Sequence, residues 1–189
     1  MPIRMSGSRI SPLALGDLDA NDQLLMAQGT EIMGFLANDG LTFARVPGLL
    51  EAVSGLVAAC YRPGKVDMET KRLLALMSST AAACVYCQHH NRFGGLKAGI
   101  PKELLDSIWE YATAPGFTDA QRVALKVAHH ASLHPNQVDD ENFAELREYY
   151  SEDQCAEIVA VIALFGFLNR WNDTIKTEPE NLPGLNPGS

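Results

Sequence analysis

The chain lacks a basic surplus: 15 lysines and arginines stand against 23 aspartates and glutamates, a formal net charge of −8. Affinity for a phosphate backbone comes from clustered Lys and Arg, so no nucleic-acid partner is expected. No run of 18 consecutive apolar residues occurs, and the first eleven residues hold no apolar stretch that would serve as a signal segment. The expectation is therefore a cytoplasmic protein with no membrane attachment. Sustained period-two alternation and β-branched enrichment are missing too, which excludes a strand-built fold. There are only four cysteines, and in a reducing compartment a close pair among them points to catalysis or metal binding rather than to a structural staple.

What is present reads as an all-α protein. Hydrophobic residues make up 47% and charged residues 20% of 189, enough for one domain with a real core. Residues 1–18 read as a loosely held arm, 19–177 as the helical domain, and 178–189 as a tail that is mobile or laid over a neighbour. Asp19 caps a first helix that runs to Asn38-Asp39-Gly40, and Pro47 opens an apolar helix over 48–60. Asp67 caps a helix over 68–83, which delivers the chain to a helix over 84–97. Pro101 starts another, through Tyr111, and Thr118-Asp119 caps one that ends near His134-Pro135. Asp139 or Asp140 opens 141–150, and Ser151 with Gln154 forms a capping box before a long helix over 155–175. Cys60 and Cys155 fall in apolar periodic segments and read as small buried hydrophobes.

The chemistry concentrates in Ala81-Ala82-Ala83-Cys84-Val85-Tyr86-Cys87-Gln88-His89-His90-Asn91. If the segment is helical from Cys84, Cys87 lies about 60° round from it and His90 about 60° further, so all three share one face. His89 points about 160° away from Cys87 and reads as a surface or interface residue. A cysteine at a helix start sits beside unpaired N–H groups and the positive dipole end, which favour the thiolate. Zinc is the competing reading, with Cys84, Cys87 and His90 as three ligands and His129, His130 or His134 as a fourth. No second tight pair at zinc-ribbon spacing supports it, and no metal or cofactor is expected.

Cys84 to His90, preceded by Lys71-Arg72-Leu73-Leu74-Ala75-Leu76, closely resembles the signature of the carboxymuconolactone decarboxylase and alkylhydroperoxidase-D-like superfamily. Phe117-Thr118-Asp119 through Ala131, Val138-Asp139-Asp140, and Ile162 through Asn172 are similar to later parts of the same family, so the likeness covers roughly residues 45–175. The resemblance implies an all-helical fold that assembles into homo-oligomers: a dimer, trimer or hexamer. It implies a thiol-dependent peroxidase or disulfide oxidoreductase acting on a peroxide or small disulfide and recharged by a thiol reductant. Carried over, Cys87 attacks the peroxide, Cys84 resolves the sulfenic acid as a disulfide, and His90 is the base or water-orienting group. The family's usual proton-relay glutamate lies twelve residues before the first cysteine, where this chain has Arg72. Glu69, one turn earlier, is the candidate relay in its place, and Arg72 is a candidate thiolate stabiliser that stays charged and relays no proton. Two alternatives stand beside the peroxidase: a decarboxylase-like lyase acting on a small lactone acid, with Arg72 and Arg92 as the nearest cations, and a non-catalytic helical oligomer.

Overall fold

Helix α4 (Met68–Ala81) is the axis of the molecule, packed by α5 (Val85–Lys97), α7 (Asp119–Ser132) and α9 (Glu152–Ile175). The computed structural model describes residues 7–182 and 185, so the ends of the expected arm and tail lie outside the described residues. Around the central four are α1 (Ala20–Met33), α2 (Asn38–Phe43), α3 (Leu49–Tyr61), α6 (Lys102–Asp106) and α8 (Asp140–Tyr149), with single 3-10 turns at Leu15–Asp17 and Ile108–Glu110. The described residues are all-helical, with no strand.

The helix starts follow local chemistry. Asp19, Asp67 and Asp139 each accept a backbone N–H from three residues on, and Thr118/Gln121 and Ser151/Gln154 close reciprocal capping boxes at α7 and α9. One expected helix divides. Gly34 adopts a left-handed φ of 92° and ends α1, and the chain restarts at Asn38 as the short α2. Asn38-Asp39-Gly40 therefore opens a helix instead of closing one. The Pro101 segment also stops early, with α6 giving way to a 3-10 turn.

Helix α4 is buried all round over its middle: Leu73, Leu74, Ala75, Leu76 and Met77 are each 0% exposed. Each of the large side chains contributes about 1.5–3 kcal/mol by leaving water. Its polar residues are tied to neighbouring helices. The Asn91 amide of α5 donates to the Ala75 carbonyl at 3.2 Å and the Ser79 hydroxyl at 3.0 Å, and the Asn169 amide of α9 donates to the Ser78 carbonyl at 3.1 Å. At its other end Lys71, with a side chain 3% exposed, donates to the carbonyls of Cys60 and Arg62 at 3.0 and 3.1 Å and pairs with Glu157 of α9 at 3.2 Å. The ammonium thus satisfies carbonyls that the end of α3 leaves without helical partners. Cys60 and Cys155 are buried, as expected.

Helix α9 is long and apolar enough to cross a membrane by composition, with a mean hydropathy of 1.2. Its inward face belongs to the core, carrying Ile158, Val161, Leu164 and Phe165 together with Asn169 and Asn172. The described part of the arm is not loose. The Arg9 N–H donates to the Ile175 carbonyl at 2.7 Å and its guanidinium to the Thr174 carbonyl at 2.6 Å, so the arm closes the C-terminal end of α9.

Candidate active site

Between α4 and α5 the chain turns through Ala82 and Ala83. Ala83 takes a φ of 55°, a left-handed conformation that costs a residue with a Cβ roughly 1–2 kcal/mol. This tight turn makes Cys84 the N-cap of α5, where its sulfur accepts the Cys87 N–H at 3.4 Å. None of the four cysteines is joined in a disulfide. Stabilisation by the neighbouring Cys87 side chain, with help from the Cys87 backbone N–H, holds the Cys84 thiol below its ordinary range against the opposing effect of burial. Cys87 is pushed well above, because its proton is engaged by Cys84, because it is buried, and because the Cys84 and Asp39 charges face it. Of the two thiols Cys84 is therefore the more acidic and Cys87 the one that holds its proton more tightly.

A polar layer lies against Cys87. The Asn172 amide of α9 donates to the Cys87 sulfur at 3.6 Å and to Asp39 Oδ2 at 3.3 Å, while its oxygen accepts the Thr177 hydroxyl at 2.7 Å. Burial pushes the Asp39 carboxyl up, against the opposing His90 charge and Asn172 hydrogen bond. The Asp39 N–H donates to the Tyr86 hydroxyl at 3.2 Å, and that hydroxyl donates to Glu180 Oε1 at 3.1 Å. Burial keeps the Tyr86 phenol protonated and so able to donate. Glu180 Oε2 meets His90 Nε2 at 2.5 Å.

The structure brings Cys84 and Cys87 together and sets His90 on a hydrogen-bonded cluster with Glu180 and Tyr86. Its ring centroid is 4.0 Å from Tyr86 and 4.7 Å from Phe35. Glu69 and Arg72 are not brought to the sulfurs. Helices α4 and α5 run antiparallel, so Arg72 comes to lie against Gly94, seven residues and about 10 Å along α5 from Cys87. Its guanidinium sits 5.0 Å from the Tyr61 ring centroid, and its Nε is buried without a partner. Glu69 lies further still along α4, accepting a hydrogen bond from Gln121 at 3.1 Å. Distance along the hairpin excludes both from direct proton exchange with the thiols. His89 is another correction: it is 8% exposed and its Nε2 meets the Glu180 carbonyl at 3.1 Å. Among the described residues no three His, Cys, Asp or Glu side chains converge as metal ligands. His129 packs on Trp109, and His130 bonds Asn142.

Glu180, Asp39 and Asn172 are site residues that sequence reasoning did not assign. The tail around Glu180 is described to Leu182 and lies over this chain's own site, with Asn38 Nδ2 donating to the Glu178 carbonyl at 2.9 Å. Burial alone would raise the Glu180 carboxyl; the hydrogen bond and charge of His90, with the Asn38 N–H, outweigh it and hold the group below its usual range. A carboxyl depressed by folding contributes stability that is complete above its unfolded value and lost as pH falls through its folded value. Residues 177–182 are therefore expected to stay docked at neutral pH and to release in acid, as the pH falls below the ordinary carboxylate range. Hydrogen–deuterium exchange of that segment should show protection lost there ahead of the core of α4; equal protection at both pH values would contradict this.

Both sulfurs are close to sealed, Cys84 at 1% and Cys87 at 4% exposure. Residues 47–130 match the carboxymuconolactone decarboxylase family. A crystal structure of a cysteine-to-alanine variant of the debrominase Bmp8 with 2,3,4-tribromopyrrole is similar at 32% identity over 91% of each chain, with a TM-score of 0.85. The alkylhydroperoxidase AhpD core of a peroxidase-related protein from Ralstonia eutropha JMP134 shares the fold at 23% identity over 94% of each chain, with a TM-score of 0.84. The uncharacterized protein YdfG of Bacillus subtilis (strain 168) is 22% identical over 59% of this chain and 74% of its own length. With a thiol pair at the mouth of α5 inside this helical fold, the chain belongs to the carboxymuconolactone decarboxylase family.

Proposed function

We propose that the protein is a dithiol-dependent reductase of the alkylhydroperoxidase type, in which Cys84 and Cys87 deliver two electrons to a peroxide and close into a disulfide. The observation that carries this reading is the unbridged pair at the start of α5, with the Cys87 N–H donating to the Cys84 sulfur at 3.4 Å. Cys87, on the Asn172 side of the pair, is the attacking sulfur, and its proton moves to Cys84 as it attacks. The O–O bond breaks, one oxygen stays on Cys87 as sulfenic acid, and the alkoxide takes the proton from Cys84 to leave as alcohol. The Cys84 thiolate then displaces hydroxide from Cys87, which departs as water with a proton from the site. Two thiols and one hydroperoxide thus become a disulfide, an alcohol and water. A thiol reductant, protein or small molecule, restores the pair by exchange. His90 serves as the acid–base group at the edge of the pair. These steps call on no metal or organic cofactor.

The same two electrons reduce a carbon–bromine bond: two thiols and an aryl bromide give a disulfide, the arene and hydrogen bromide. The 32% identity to a debrominase favours this as the second substrate class. The lyase alternative is less supported, because Arg92 is paired with Asp106 at 2.5 Å and Arg72 is packed against Tyr61. Exposed apolar side chains, Ile32 at 73% and Val85 at 66%, support burial against further copies of the chain.

The test is a pair of assays with a dithiol reductant, one following hydroperoxide consumption and one following bromide release from a brominated pyrrole. Turnover in either should exceed that of a variant with both Cys84 and Cys87 changed to serine. Equal rates for the two proteins on both substrates would contradict the proposal.

A further inference from the structure

Glu180 lies 90 residues from His90 in sequence, yet both of its carboxylate oxygens are committed to the site. Oε1 accepts the Asn38 N–H at 2.6 Å and the Tyr86 hydroxyl at 3.1 Å, which leaves Oε2 aimed at His90 Nε2 at 2.5 Å. The segment that carries it is tied down on either side. Thr177 is bonded to Asn172, whose amide also donates to Cys87, and Leu182 is buried. The carboxylate is therefore placed by contacts that reach the thiol pair itself.

An ionised carboxylate only accepts hydrogen bonds, so His90 Nε2 carries the hydrogen, and in the neutral ring Nδ1 is then the bare, basic nitrogen. A carboxylate behind an imidazole fixes its tautomer, holds the ring's orientation and stabilises the cation formed when the ring takes a proton. Phe35 and Tyr86 restrain the ring on its faces, so the Glu180 contact selects among few orientations. We infer that Glu180 is the positioning carboxylate of this site, delivered by the C-terminal segment to hold His90 with Nδ1 available for proton transfer, one helical turn along α5 from Cys87. The inference rests on the dithiol-reductase reading of the same residues. It also gives the site a carboxylate where α4 presents Arg72.

Full-length Glu180→Gln and Glu180→Asp separate this role from a structural one. Glutamine keeps an oxygen for Asn38 and Tyr86 but turns an amide N–H toward Nε2, which favours the opposite tautomer. For Glu180→Gln, kcat should fall about 10- to 100-fold with KM unchanged, and Glu180→Asp should regain most of that rate. Ring-nitrogen NMR of His90 should show the hydrogen on Nε2 in the parent and on Nδ1 in the glutamine variant. Parent-like kcat in a thiol-dependent Glu180→Gln enzyme would overturn the inference and leave the proposed reaction standing. So would a loss that Glu180→Asp does not recover, accompanied by equal falls in melting temperature. Absence of thiol-dependent turnover in the parent would remove the reductase reading and this inference together.

Discussion

Replacing Cys87 with serine is expected to abolish reduction of peroxide, with a fall in kcat on the order of 10⁴-fold or more and no sulfenic acid formed. The hydroxyl that replaces the sulfur is a poor nucleophile at neutral pH, and Cys84, the more deeply buried sulfur, is left without its partner. Cys84→Ser is expected to behave differently. It retains the attacking sulfur, so one equivalent of peroxide should be consumed and a sulfenic acid should form on Cys87, after which turnover stops for want of a resolving thiol. Stopped-flow consumption with a sulfenic-acid trap distinguishes the two. Sulfenic acid trapped on Cys84 in the Cys87→Ser variant would reverse the roles, and the lowered pKa of Cys84 makes that outcome chemically meaningful. Full turnover in both variants would remove the pair from the reaction.

The second large effect is on stability. Lys71→Met keeps the length and apolar stem of the side chain but removes the ammonium that binds the Cys60 and Arg62 carbonyls and Glu157. Two carbonyls at the end of α3 lose their donor, and a half-buried carboxylate loses its countercharge, although Glu157 keeps the Lys65 and Val66 N–H groups. The expected cost is about 2–4 kcal/mol, seen as a lower denaturation midpoint with an unchanged m-value. A change below about 0.5 kcal/mol, the usual range of surface substitutions, would mean that water replaces the ammonium without penalty.

The parts of this structure that were legible in the sequence are those set by local rules. Asp19, Asp67, Thr118 and Ser151 announce helix starts because each cap bond spans only three residues. The closeness of Cys84 and Cys87 follows from the helical period alone. Gly34 was missed because Phe35 and Leu36 continue the helical spacing across it, and only its left-handed backbone reveals the break. Glu180 was invisible for another reason. Its partners Asn38, Tyr86, His89 and His90 lie 90 to 142 residues away, and the tail has no periodicity to declare a buried face. Arg72 at the relay position made Glu69, one turn earlier, the nearest replacement in the sequence, and nothing in the spacing pointed to Glu180. Asp39 was read as part of a helix-ending turn, and its place against the thiols depends on how α2 packs, not on any local pattern.

The most direct measurement is intact-mass and peptide mapping of the reduced full-length protein after one equivalent of hydroperoxide. The account predicts loss of two hydrogens and a disulfide joining Cys84 to Cys87, reversed by a thiol reductant. A protein that remains fully reduced, or that gains oxygen on a cysteine with no Cys84–Cys87 linkage, would contradict it.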